Sequence, residues 1–253
     1  MKGKRFKSKS KNTPSIMYLI IMLVFVSMFI FSLIKIIEWL KDNKARDKVI
    51  EEIQNTYFID EGKEDIEKYS IDFKKLKEKN ADTVAWIKIN GTDIEYPVVK
   101  TNNNEYYLNH GFDKSENGAG WVFMDYRNIG DTTDDNMIIY GHNRRDGGML
   151  GTLKNILTDE WQNNEENLTI PFVSEKIKKE YKVFSVYKIE KEDYYITTNF
   201  NTSEEFGSFI ENIKSRSIKD FGVDVTKDDK ILTISTCANN NNYRVVLHAK
   251  KIE

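Results

Sequence analysis

Leu232-Thr233-Ile234-Ser235-Thr236-Cys237 alternates apolar side chains with small hydroxyl residues and ends on the only cysteine of the 253-residue chain. A period of two is the pattern of a half-buried strand. The polar run Ala238-Asn239-Asn240-Asn241-Asn242 follows as a turn, and Tyr243-Arg244-Val245-Val246-Leu247-His248 reads as a second strand. The pair places a thiol at the end of one strand and a guanidinium near the start of its neighbour. A thiol attacks as thiolate, which nearby positive charge favours, and it needs a proton-transfer partner, normally histidine. Three histidines are available: His110, His142 and His248. A lone cysteine is more often a small buried hydrophobe, so spacing alone leaves both readings open.

Working outward, the same alternation recurs upstream. Val84-Ala85-Trp86-Ile87-Lys88-Ile89 and Thr92-Asp93-Ile94-Glu95-Tyr96-Pro97-Val98-Val99 flank Asn90-Gly91, a strong hairpin signal. Further strands are expected over Gly120 to Met124, Met137 to Tyr140, Lys182 to Ile189, Tyr194 to Thr198, Ile231 to Thr236 and Tyr243 to Ala249. Many short strands with few helices predict a mainly β sandwich or barrel. One helix interrupts them: Thr202-Ser203-Glu204-Glu205 is a capping-box pattern, and Phe206, Phe209, Ile210 and Ile213 follow at helical spacing, which predicts a helix over 203–216. Residues 35–56 and Asp65 to Lys79 also carry helical spacing, the second with Ile66, Tyr69, Phe73 and Leu76 as its apolar positions.

The N-terminus has a different composition. Residues 1–14 hold six Lys or Arg and no acid, and since the chain totals −2 the remainder carries −8, which argues against a nucleic-acid-binding body. Ile16 to Ile34 is almost wholly apolar, and its nineteen residues span about 28 Å as a helix, close to the ~30 Å hydrocarbon core of a bilayer. No small-x-small cleavage pattern follows, so an uncleaved signal anchor is expected rather than a removed signal peptide. A lone cysteine and three scattered histidines offer no metal-ligand spacing, and no P-loop or dinucleotide fingerprint occurs, so neither metal nor cofactor is expected.

His142 follows Met137-Ile138-Ile139-Tyr140 and a glycine, so it stands where a strand gives way to a loop. His110, in Tyr107-Leu108-Asn109-His110-Gly111, reads as a surface or packing residue, and His248 as a half-exposed position at a strand end. Tyr140-Gly141-His142-Asn143, then Leu-Thr-Ile-Ser-Thr-Cys and one downstream arginine, resemble the sortases, cysteine transpeptidases of Gram-positive cell surfaces. Asp82-Thr83-Val84-Ala85-Trp86-Ile87, Ile94 to Val99, Phe123-Met124-Asp125-Tyr126-Arg127-Asn128 and Met149-Leu150-Gly151-Thr152-Leu153 match in the same order. The resemblance covers about residues 70–252, and the helix between two late strands is typical of class B.

The resemblance implies a closed β-barrel of about eight strands with N-terminal helices, one inserted helix and a preceding transmembrane helix. It also implies a cytoplasmic tail (1–14), an anchor (15–37), a helical stalk (38–69) and an extracellular catalytic domain (70–253) on a single-pass membrane protein. Cys237 is then the nucleophile, His142 the general acid/base and Arg244 the cation at the oxyanion or substrate backbone. Tyr195, Ile196, Ser235, Asn104 and Leu108 line the peptide groove. The implied partners are secreted proteins with a C-terminal sorting signal, cleaved after threonine, and an amine of peptidoglycan or its lipid-linked precursor. Neutral thiol and imidazole predominate at pH 7 with ordinary values near ~8.5 and ~6.5, which predicts slow turnover. Ala238 and Asn239 stand where class B sequences often carry acids, in a connection to Arg244 shorter than in many of them. Two other readings use the same residues: a secreted cysteine hydrolase with water as acceptor, and a membrane-anchored binding protein without catalysis.

Overall fold

The computed structural model describes residues 16–60, 69–190, 192–237 and 243–252. The basic tail, Asp65, Ile66 and the asparagine turn after Cys237 lie outside them. The chain divides into two compact units, 1–42 and 43–253. Helix α1 (Ile16–Tyr57) is long and apolar enough to cross a membrane, and its apolar side chains from Ile16 to Leu40 are exposed.

The second unit is built on a closed barrel. β3 (Thr83–Ile89) and β4 (Ile94–Val99) form the expected hairpin, in register Ile89 opposite Ile94. Its connection takes four residues, with Gly91 at φ +70, where a Cβ would stand 2.8 Å from Trp161. β5 (Phe123–Met124), β6 (Asn136–His142), β7 (Thr169–Val173), β8 (Lys178–Glu190), β9 (Ile231–Cys237) and β10 (Tyr243–Ile252) complete the wall in the order β10-β8-β7-β3-β4-β5-β6-β9, with β9 closing onto β10. Two of its pairs, β4–β5 and β6–β9, are parallel. All seven residues of β6 are buried, as expected of a continuous apolar strand covered on both faces. A small antiparallel pair, β1 (Phe58–Asp60) with β2 (Tyr69–Ile71), and the short helix α2 (Phe73–Lys79) precede the barrel, and a one-turn helix α3 (Asp159–Gln162) comes before β7. The helical segment expected from Asp65 is therefore shorter: Tyr69 lies in a strand, and Asp72 caps α2 by accepting from Lys75 N at 3.0 Å.

Helix α4 (Ser203–Ser215) follows the prediction closely. Thr202 Oγ1 accepts from Glu205 N at 3.1 Å, while the Glu205 carboxylate reaches one residue further back, to Asn201 N at 3.0 Å. Phe206, Phe209, Ile210 and Ile213 bury against Phe184, Tyr187 and Val246 of the barrel wall.

Two strand expectations differ, and one strand was not expected. Gly120 to Met124 is a strand only at Phe123–Met124, because Gly120 adopts φ +62 and Trp121 N turns aside to Tyr107 O at 2.9 Å. Tyr194 to Thr198 is a single 3₁₀ turn, Tyr194–Ile196, followed by extended chain. Side chains take three of its carbonyls in place of a ladder: Asn136 Nδ2 donates to Tyr195 O and Thr197 O at 3.3 and 2.8 Å, and an Arg127 Nη donates to Ile196 O at 2.8 Å; Thr198 O accepts from Asn136 N at 3.1 Å. β7 carries no alternation signal and contains Pro171, which stands where the strand pairs with β8 alone.

Candidate active site

Parallel pairing of β6 with β9 determines the site. Seven consecutive residues match, from Asn136 opposite Ile231 to His142 opposite Cys237, so the two strands end together on one rim. β10 lies on the other side of β9 with Val246 opposite Ser235, which sets Arg244 at the same rim. Arg244 Nη1 donates to Thr236 O at 3.1 Å, Val245 N donates to Thr236 Oγ1 at 2.9 Å, and the buried Arg244 Nε has no partner among the described residues. The Thr236 carbonyl and hydroxyl thus hold the guanidinium and its strand beside the cysteine, with the buried Nε–H uncommitted among the described residues.

His142 is 6% exposed. Nε2 lies 2.6 Å from Leu108 O, and because a carbonyl only accepts, that nitrogen carries the proton. Nδ1 is then the basic nitrogen, buried and without a partner among the described side chains. Burial pushes the His142 pKa below the ordinary imidazole range; the Leu108 bond acts against this and Arg144 with it. The neutral base is therefore the resting form. The ring fits because residue 120 is glycine: a Cβ there would stand 2.6 Å from Tyr107 O and 2.8 Å from His142 Cδ2.

The loop after His142 is fixed from the N-terminal side of the same unit. Asp146 accepts from Arg144 Nη2 at 2.8 Å and from the nearly buried Arg46 at 3.0 Å, and Arg144 also bonds Asn43. Burial tends to raise the Asp146 pKa, but the Arg144 and Arg46 bonds hold it well below the usual carboxylate range. A Cβ on Gly148 would meet Arg46 Nη1 at 2.5 Å, so the arginine lies directly on the loop backbone.

The other sequence-selected residues form linked groups. Tyr195 and Ser235 are both fully buried, and their hydroxyls lie 3.0 Å apart. Asn104 Nδ2 donates to Asp125 Oδ2 at 3.0 Å, Asp125 pairs with Arg127, and Arg127 reaches the Ile196 carbonyl. Leu108 joins the site through its carbonyl. Sequence reading missed Asp125, Arg127, Gly120, Arg46 and Asp146 as parts of the site; Asp125 and Arg127 lie in one of the matched motifs and could have been weighed there. His110 stacks on Tyr106 with ring centroids 4.0 Å apart, a packing role. His248 is not half-exposed but fully buried: α4 covers that side of the barrel, and the ring sits among Phe184, Tyr187 and Tyr195.

The Sortase domain model matches residues 87–252. The chain is 31% identical over 234 residues to "Sortase B" of Listeria monocytogenes, covering 91% of this chain and 94% of that protein. It is 35% identical over 184 residues to "Sortase B" of Staphylococcus aureus, covering 72% and 75%. Among solved structures, Bacillus anthracis sortase B in complex with AAEK1 superposes with TM-score 0.74 at 33% identity, covering 85% of this chain and 99% of that one. A Staphylococcus aureus sortase B–substrate complex gives 0.71 at 29%, covering 86% and 99%.

Proposed function

The chain belongs to the sortase family, and from that premise we propose that it is a membrane-anchored class B transpeptidase in which Cys237, His142 and Arg244 carry the chemistry. The observation that supports this most is the register pairing of His142 with Cys237, with Arg244 on the adjoining strand.

In this reading the Cys237 thiol passes its proton to His142 and adds to the carbonyl of the threonine in a C-terminal sorting signal. The Arg244 guanidinium faces the oxyanion or the peptide backbone. As the tetrahedral adduct collapses, the imidazolium returns its proton to the departing amine, and a thioester remains. An amine of peptidoglycan or its precursor then attacks, His142 takes that proton, and the thiol is released. The uncommitted Nδ1 is the atom suited to both transfers, since Nε2 is held by Leu108 O. Residues 15–37 form the anchor, 1–14 the cytoplasmic tail, 38–69 the stalk and 70–253 the domain outside the membrane. Tyr195, Ile196, Ser235, Asn104 and Leu108 form the walls of the donor site.

The test uses the detergent-solubilised full chain with a library of sorting-signal peptides, read by intact mass. The expected result is an acyl adduct on Cys237 that oligoglycine or a diamino-acid peptide discharges as a ligated product. An adduct discharged only by water assigns a hydrolase, and no adduct beyond that of Cys237→Ala overturns catalysis.

A further inference from the structure

Asp125 follows β5, and its carboxylate is fully buried. Oδ1 accepts from Arg127 N at 3.0 Å and Arg127 Nε at 2.8 Å. Oδ2 accepts from Arg127 Nη2 at 2.7 Å, Asn104 Nδ2 at 3.0 Å and the Tyr140 hydroxyl at 3.0 Å. Five donors saturate a group with about four lone-pair sites. They come from three places: the loop carrying Asn104, the strand leading to His142, and Arg127 itself. The same Arg127 Nη2 continues to Ile196 O at 2.8 Å. Asn104 is latched a second time, through Oδ1 to Tyr126 N at 3.0 Å.

β5 pairs with β6 at Tyr140, but the Asn104 loop and the 194–196 turn have no ladder between them. The 194–196 turn departs from the sheet, and Arg127 and Asn136 donate to its Ile196 and Tyr195 carbonyls. A bidentate guanidinium–carboxylate pair fixes distance and plane together. The buried carboxylate also cannot shift without stranding charge. Tyr140 brings the arrangement onto β6, two residues before His142.

We propose that Asp125 and Arg127 are positioning residues that set the separation between the Asn104 wall and the Ile196 wall of the donor-peptide site. This rests on the donor-site reading above. The pair touches none of the reacting atoms, so it acts on how the peptide seats and leaves the reactivity of the thiol alone.

Arg127→Lys keeps the charge and loses the planar fork. In the full chain, the expected effect is a donor KM raised about tenfold, with amine discharge of a preformed thioester and Cys237 alkylation by iodoacetamide both within twofold of wild type. Asn104→Ala raises donor KM in the same direction, and the double variant is less than additive because the residues share one carboxylate. Amide exchange over 194–198 accelerates in Arg127→Lys. Alkylation or discharge falling in parallel with donor turnover, or an unchanged KM, reduces the pair to an ordinary structural contact and overturns the proposal. Exchange that does not change overturns the link between the walls whatever the kinetics. Wild type that never acylates instead overturns the donor-site reading, and the exchange measurement then decides separately whether Arg127 holds the turn.

Discussion

Two histidines on the same three strands, one inside the barrel wall and one at its rim, have opposite hydrogen-bond inventories. His248 is fully buried, with Nε2 2.7 Å from the Tyr187 hydroxyl and Nδ1 2.8 Å from Thr233 Oγ1. Thr233 spends its proton on Asn136 Oδ1 at 2.6 Å, so His248 must donate from Nδ1 and accept at Nε2 from Tyr187. Every polar atom in that chain is used. His142 is almost as buried, yet one nitrogen is held and the other is left without a partner among the described side chains, across from Cys237. Burial therefore does not separate a structural histidine from the one proposed for the chemistry. Uncommitted hydrogen-bonding capacity does.

The contrast breaks most visibly at the rim. His142→Gln is expected to lower transfer to the amine by roughly a thousandfold, the usual scale for a lost general acid/base. The thermal midpoint should shift by only a few degrees. A variant that keeps a tenth of the wild-type rate would remove His142 from the chemistry.

Inside the wall the effects reverse. His248→Leu leaves the Tyr187 and Thr233 hydroxyls short of a buried partner, so stability in urea falls by roughly 2 kcal/mol, while the turnover of the folded fraction stays within about twofold. The pH dependence sharpens this. Burial pushes the His248 pKa down to about 3, whereas the unfolded chain takes up that proton near ~6.5. Between those values the unfolded state binds more protons, so wild-type stability falls as pH drops, by up to ~1.4 kcal/mol per unit from this group. Asp125 and Asp146, both with lowered pKa values, add losses of the same sign at lower pH. Subtracting the His248→Leu curve isolates the histidine; identical slopes would mean that His248 is protonated in the fold. The smallest effect is expected from Asp146→Asn, which loosens the loop after His142: about 1 kcal/mol of stability and a few-fold in rate, measured by urea titration and initial velocities.

Much of this was legible beforehand. Alternation located β3, β4, β8, β9 and β10, a short apolar run located β6, and the spacing of Phe206, Phe209, Ile210 and Ile213 located α4. The motifs around His142, Cys237 and Arg244 singled out the rim, but only the strand order explains why residues 142 and 237 meet. What the sequence hid has physical causes. Pro171 masks β7, and the Tyr194 to Thr198 run looks like a strand because strand-like composition does not reveal that side chains will take its carbonyls. The Asp125–Arg127 pair sits on a loop with no periodicity, and its partners Asn104, Tyr140 and Ile196 lie 21, 15 and 69 residues away in sequence. His248 was misread because its own strand does not reveal that α4 covers it.

The position of β9 and β10 in the wall has a consequence for assembly. They are the last two strands of the chain, and they fill the gap between β6 and β8. Until both are in place the barrel is an open sheet with two unpaired edges. Cys237 and Arg244 lie on the hairpin that closes it, while His142 waits on one of those edges. Closing the barrel and completing the proposed active centre are therefore one event. A partly synthesised chain has Cys237 on no finished scaffold, and the proposed reaction becomes possible only once the final pair of strands has seated.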